Sequence, residues 1–164
     1  MKVKLFTIAG PIIVALGALA SAADQSTIPA PEKPKTVGYR PNIVVYKDRH
    51  CDCCERWVRH LEANRFVVRV ENVDNLGEIK RRLGIPREKD ACHTGMIEGY
   101  FVEGHVPAED IKRLIGTRPD AKGLAVPGMP IGSPGMEQGK MVQPYDVLLM
   151  DRAGKSTVFA HHGK

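Results

Sequence analysis

An α/β domain is predicted, its elements in the order β-α-β-α-β-β-α, and three observations carry that reading. Short β-branched runs, Ile43-Val44-Val45-Tyr46 and Phe66-Val67-Val68-Arg69-Val70, alternate with segments whose apolar residues recur at helical spacing. Three of the four cysteines fall in His50-Cys51-Asp52-Cys53-Cys54, directly behind the first of those runs. At 164 residues the chain is long enough for one core with appendages and too short for two independent ones.

The leading segment stands outside that domain. Lys2 and Lys4 precede an apolar run from Leu5 to Ala20 and then Ala20-Ser21-Ala22-Ala23, the pattern of a secretory signal with a cleavage site near Ala22 or Ala23. Residues 1–23 are therefore expected to be a signal peptide. Gly10, Pro11 and the small-residue end weigh against the alternative, a retained membrane anchor. Residues 24–41 carry Pro29, Pro31, Pro34 and Pro41 and little that is apolar, which predicts an extended Pro-rich linker and leaves 42–164 as the domain.

Within the domain the first run is a buried strand, and Cys54, Trp57, Val58 and Leu61 mark the inner face of the helix behind it. Phe66 to Val70 is the second strand. Leu76, Ile79 and Leu83 mark a second helix, stopped by Gly84 and Pro86. Arg87 to Thr94 is expected to be a loop delivering Cys92 and His93. Met96-Ile97 and Tyr100-Phe101-Val102 flank Glu98-Gly99 at hairpin spacing. Pro107 then opens a third helix, buried through Ile111, Leu114 and Ile115. This order, with a cysteine motif behind the first strand, is the thioredoxin-like arrangement. Gly116 to Pro144 is rich in Gly and Pro without periodicity and predicts a long ordered loop or covering flap. Tyr145–Met150 and Ser156–Ala160 predict an additional C-terminal β-hairpin, with His161 and His162 as a frayed tail.

Charge excludes one class of function. Without Lys2 and Lys4, 22 basic residues face 19 acidic ones, so the formal charge falls from +5 to +3, too mild to imply nucleic acid. Lys80-Arg81-Arg82 is expected to be the solvated face of the second helix. Once the signal is removed, no segment is apolar and long enough to engage a membrane as a span. Export would put the four cysteines in an oxidising compartment, where clustered thiols become disulfides unless a metal or a redox cycle holds them.

Cys51 and Cys54 have the C-x-x-C spacing of dithiol oxidoreductases, and Cys53 between them makes the motif unusual. A third thiol would compete for a mixed disulfide, whereas a metal site gains a ligand from it. Asp52 beside the thiols opposes thiolate formation until a cation is bound. Thiolate and thioether donors select Cu(I), and the crowding of the three cysteines does not match the usual zinc spacing of separated pairs. Cys92-His93 offers two donors on one loop, His105 lies ahead of the third helix, and Met129 and Met136 sit in the Gly/Pro-rich stretch, each with packing as its alternative role. His60 falls on the polar side of the first helix.

Several of these stretches resemble the CopG-like family of metal-binding proteins: Tyr46 to Leu61, Ala91-Cys92-His93-Thr94, Glu103-Gly104-His105-Val106-Pro107, Gly123 to Pro130, and Gly132-Ser133-Pro134-Gly135-Met136. The resemblance covers Asn42 to Phe159. It implies a thioredoxin-like fold, copper binding, and a periplasmic place in bacterial copper resistance beside other copper-handling proteins. Thr and Gly are common in that family where this chain has His50 and Asp52. The expectation is a Cu(I) site built from Cys51, Cys53, Cys54 and Cys92, able to hold more than one ion through bridging sulfurs, with His93, His105, Met129 and Met136 as further ligands or walls. The competing expectation is a thiol–disulfide or copper oxidoreductase using Cys51 and Cys54.

Overall fold

The computed structural model describes residues 38–163, so the expected signal peptide and nearly all of the expected linker lie outside the described residues. The elements are β1 (Asn42–Lys47), α1 (Asp52–Ala63), β2 (Val67–Asn72), α2 (Leu76–Leu83), a 3-10 turn (Arg87–Lys89), β3 (His93–Ile97), β4 (Tyr100–Glu103), α3 (Ala108–Thr117), β5 (Gly123–Ala125), β6 (Tyr145–Met150) and β7 (Ser156–His162). The seven strands form one mixed sheet in the order β2-β1-β3-β4-β5-β6-β7. β1 runs parallel to β2, and β4 to β5, while the other neighbours are antiparallel.

Alternation in the strands decides the layers. Phe101 and Val102 are adjacent on β4, so their side chains point to opposite faces, and both are buried. Val102 joins Ile43, Val45, Trp57, Leu61, Ile111 and Leu114, which puts α1 and α3 on one face. Phe101 joins Ile85, Ala125 and Met150, with Leu83 and Met96 packed against them, a smaller core on the other. The apolar stripes expected of α1 and α3 are the buried ones.

Turn chemistry sets the boundaries. Gly84 ends α2 in the left-handed conformation at φ 67°, and Glu98 and Gly99, at φ 46° and 85°, make the tight turn between β3 and β4. Pro107 is the N-cap of α3 and not its first residue.

Four expectations need correction. The stretch 116–144 is not one loop: Gly116 and Thr117 finish α3, and Gly123–Ala125 is a strand. Three residues buried on both faces are too few to show alternation. Gly123 permits the strand, because a Cβ there would lie 2.0 Å from the Phe101 carbonyl oxygen. Second, β3 begins at His93, so His93 and Thr94 belong to the sheet and not to a loop. Third, Lys80 is buried with only Arg81 and Arg82 exposed, because the buried carboxylate of Glu103 draws its ammonium inward. Fourth, His161 and His162 are ordered on β7: His161 pairs with Asp146 at 2.6 Å, and His162 reaches Asp110 at 2.7 Å and stacks on Tyr145.

Candidate metal centre

The centre forms where three chain segments meet at one end of the sheet. β1 leads through residues 48–50 to Cys51, the N-cap of α1, whose sulfur accepts the N–H of Cys54 at 3.3 Å. Cys53 and Cys54 follow on the first turn. β3 starts beside the end of β1, Lys47 opposite His93, and so brings Cys92 to the cysteine turn. β4 ends at Glu103, and Gly104, at φ 73°, turns the chain so that His105 follows. No other residue fits at 104, since a Cβ would lie 2.6 Å from the Val126 carbonyl oxygen and 2.8 Å from the Ala91 side chain.

All four sulfurs lie within 4.8 Å of one another. Cys51 and Cys54 are joined in a disulfide, while Cys53 and Cys92 are free. The Cys53 sulfur lies 3.4 Å from that of Cys51 and 3.6 Å from that of Cys92. A metal with bonds of about 2.3 Å to sulfur can bridge sulfurs up to about 4.6 Å apart, so these spacings fit one.

Cys92 is also the meeting point of two imidazoles. His93 Nδ1 lies 3.3 Å from its sulfur and His105 Nε2 3.2 Å. The far nitrogens face carbonyl oxygens, His93 Nε2 donating to Gly104 at 2.9 Å and His105 Nδ1 to Pro134 at 2.8 Å. With those protons so placed, both near nitrogens present lone pairs to one sulfur. A single S–H can satisfy only one of them, and a cation would satisfy both. Imidazoles oriented through their outer N–H groups in this way are the arrangement metal ligands adopt.

Electrostatics favour the neutral forms. Burial lowers the pKa of His93 well below its ordinary value, with neighbouring His105 adding to it, and burial lowers that of His105 as well. Burial, and after it Cys53, pushes the Cys92 thiol up to about 12. A metal would find its imidazoles ready and would have to displace the proton of Cys92.

A cover closes over these groups from residues 133–136. Gly135 lies against α1 so closely that a Cβ would sit 2.8 Å from the Cys53 carbonyl oxygen and 2.8 Å from the Trp57 nitrogen. Its carbonyl accepts Arg56 Nε at 2.8 Å, as the Pro134 carbonyl accepts His105. Met136, half-buried, is the next residue; Met129 is 46% exposed at φ 74°. His50 and Asp52 are exposed. His60 is occupied elsewhere, its Nε2 accepting the Ala108 N–H at the start of α3.

The motif reading missed the groups that hold the centre together. The Trp57 ring packs on His93 with centroids 4.2 Å apart and donates to the Val106 carbonyl. Lys47, fully buried, pairs with Glu55 at 2.7 Å. Lys80, Thr94 and Glu103 form a buried polar network beneath Cys92. The available signal was a glutamate at an inward strand position beside Gly104-His105.

Comparison with known proteins places these features. Residues 89–136, which span Cys92, His93, His105, Met129 and Met136, match the family model described as "Protein of unknown function, DUF411". Two solved forms of copper resistance protein CopG are similar over nearly their whole length. Form 2 is 47% identical, covering 76% of this chain and 99% of that one, with a TM-score of 0.73. Form 1 is 46% identical, covering 77% and 100%, also with a TM-score of 0.73. No curated protein sequence matches.

Proposed function

This chain belongs to the CopG family of copper-resistance proteins, and from that premise we propose that it is an exported, periplasmic copper-binding protein that holds Cu(I) through Cys51, Cys53, Cys54 and Cys92. The observation that carries the reading is the convergence of four sulfurs within 4.8 Å of one another, all four of which become thiol donors once Cys51–Cys54 is reduced by two electrons and two protons. His93 and His105 stand as further ligands, and Met136 and Met129 as soft groups on the cover. Soft donors in this number favour Cu(I) over harder ions, and bridging sulfurs can hold more than one. The leader-like residues 1–23 support export, and no helix among the described residues is long and apolar enough to cross a membrane. The order β2-β1-β3-β4, with the cysteine turn between β1 and α1, supports a thioredoxin-like ancestry for that half of the sheet. Other copper-handling proteins of the same compartment are the partners this role calls for.

The disulfide favours a second reading, a copper or thiol–disulfide oxidoreductase. Two electrons and two protons convert Cys51–Cys54 into two thiols; two Cu(I) ions, each oxidised to Cu(II), or the dithiol of a partner would supply the electrons. The two readings share one centre and differ in whether copper is the cargo of the thiols or the Cys51–Cys54 disulfide is turned over by a reductant, Cu(I) or a dithiol.

Metal analysis of anaerobically purified protein, with free thiols counted alongside, separates them. Bound copper whose chelation reveals four thiols supports the first; a metal-free disulfide that exchanges at a measurable rate supports the second. The reduced protein is further expected to retain Cu(I) against a strong Cu(I) chelator better than Zn(II) against a comparable zinc chelator. Equal retention would sink the copper role.

A further inference from the structure

We propose that Glu103 is the positioning residue of the centre, a buried carboxylate that sets where the Cys92 thiol sits. The inference takes its ligand from the copper reading above, while its geometry stands apart from it. Glu103 Oε1 accepts the backbone N–H of Ala91 at 2.7 Å, and Oε2 accepts the hydroxyl of Thr94 at 2.6 Å. Those two donors bracket Cys92 and His93, so one side chain fastens both ends of the segment that bears them. Lys80, reaching across from α2, fixes the carboxylate in turn, bonding to Oε1 and, at 3.1 Å, to Thr94 Oγ1. The two residues after Glu103 complete the frame. The Gly104 carbonyl accepts a hydrogen bond from His93 Nε2–H, and His105 turns its Nε2 to the Cys92 sulfur.

A purely architectural role does not account for the choice of residues. Glu103 is fully buried and Lys80 nearly so, and desolvating such a pair offsets most of its attraction. An apolar pair of similar volume would hold α2 to the sheet as well. It would not supply acceptors to both Ala91 and Thr94. The hydrogen bonds of Glu103 go to Lys80, the Ala91 N–H and the Thr94 hydroxyl and not to a sulfur, so its influence on the centre runs through the segment 91–94.

The test uses the full mature chain. Glu103→Ala combined with Lys80→Met removes the acceptors without leaving a buried ammonium unpaired, and Glu103→Gln with Lys80→Met keeps an acceptor oxygen. Each pair is made with Cys92 present and with Cys92→Ser, and each protein is titrated with Cu(I) against a chelator. The Ala/Met pair is expected to lower Cu(I) affinity about tenfold or more, as loss of outer partners of metal ligands typically does. That loss should vanish in the Cys92→Ser background, and the Gln/Met pair should recover most of it. No loss, or the same loss in both backgrounds, overturns the proposal. Should the Ala/Met protein fail to fold, Thr94→Val removes one clamp donor, with a smaller loss and the same dependence on Cys92 expected. In the reduced, metal-free protein, alkylation of Cys92 by iodoacetamide should accelerate several-fold in the Ala/Met variant while that of Cys53 holds steady. An unchanged Cys92 rate overturns the clamp, whereas a wild-type chain that takes up no Cu(I) overturns the copper reading and leaves the clamp to the alkylation result.

Discussion

At Cys53 the cargo and reductant chemistries ask for different things. Its sulfur stands between those of Cys51 and Cys92 and belongs to no disulfide. Cys53→Ser should therefore lower copper capacity or affinity in chelator competition, since a hydroxyl is a poor Cu(I) ligand, and should leave Cys51 and Cys54 able to oxidise. Normal copper binding with lost disulfide formation would reverse the assignment. The cysteines, and Cys92-His93 with His105, were legible in the sequence because each is a chemically loaded residue in a short motif. Lys80 and Glu103 were not. A lysine in a basic run on an amphipathic helix reads as solvated, and only the pairing of Thr94 with Glu103 across β3 and β4 shows where its ammonium goes.

Among the elements, α3 starts without a side-chain cap of its own, because Pro107 stands at the N-cap. His60 of α1 supplies the missing acceptor, and only its neutral form can do so. Burial lowers its pKa below the ordinary 6.5, more strongly than Glu109 raises it. The native state thus prefers the neutral ring. Its contribution is complete above about pH 6.5 and is lost as pH falls from there through the lower folded-state value. His93 and His105 act in the same direction in the metal-free protein. The urea midpoint is expected to fall between neutral pH and about pH 5. At neutral pH, His60→Ala should cost about 1 kcal/mol, a difference that narrows on acidification. The cover supplies a second test. Gly135→Ala combines a positive φ of 87° with collisions against the backbone of α1, and should cost about 1–3 kcal/mol in urea denaturation while exposing Cys53 to alkylation. Gly139, at φ 59° with open space around it, isolates the conformational share and should cost less. The long elements were legible from periodicity, and β5 was not, because a three-residue strand has no period and exists only through its neighbours β4 and β6.

For the whole molecule the decisive distance in sequence is that from Cys53 to Cys92, 39 residues that include β2 and α2. A metal held by both closes that span. Closing it should stabilise the fold by a few kcal/mol, chiefly by restricting the unfolded chain, and by less if unfolded thiols also bind copper. Cu(I) is therefore expected to raise the thermal midpoint of the reduced wild-type chain. Cys92→Ser should remove most of that rise and change metal-free stability much less. A Cys92→Ser protein stabilised as fully as wild type would place the fourth cysteine outside the site. The cover over this centre is fastened differently. Pro134 and Gly135 hold the side chains of His105 and Arg56 by their carbonyl oxygens, acceptors that belong to the backbone and not to the side chains at 134 and 135. The acceptor that holds His105 therefore does not depend on the side chains at 134 and 136, so changes there in softness, charge and bulk are expected to leave that latch in place.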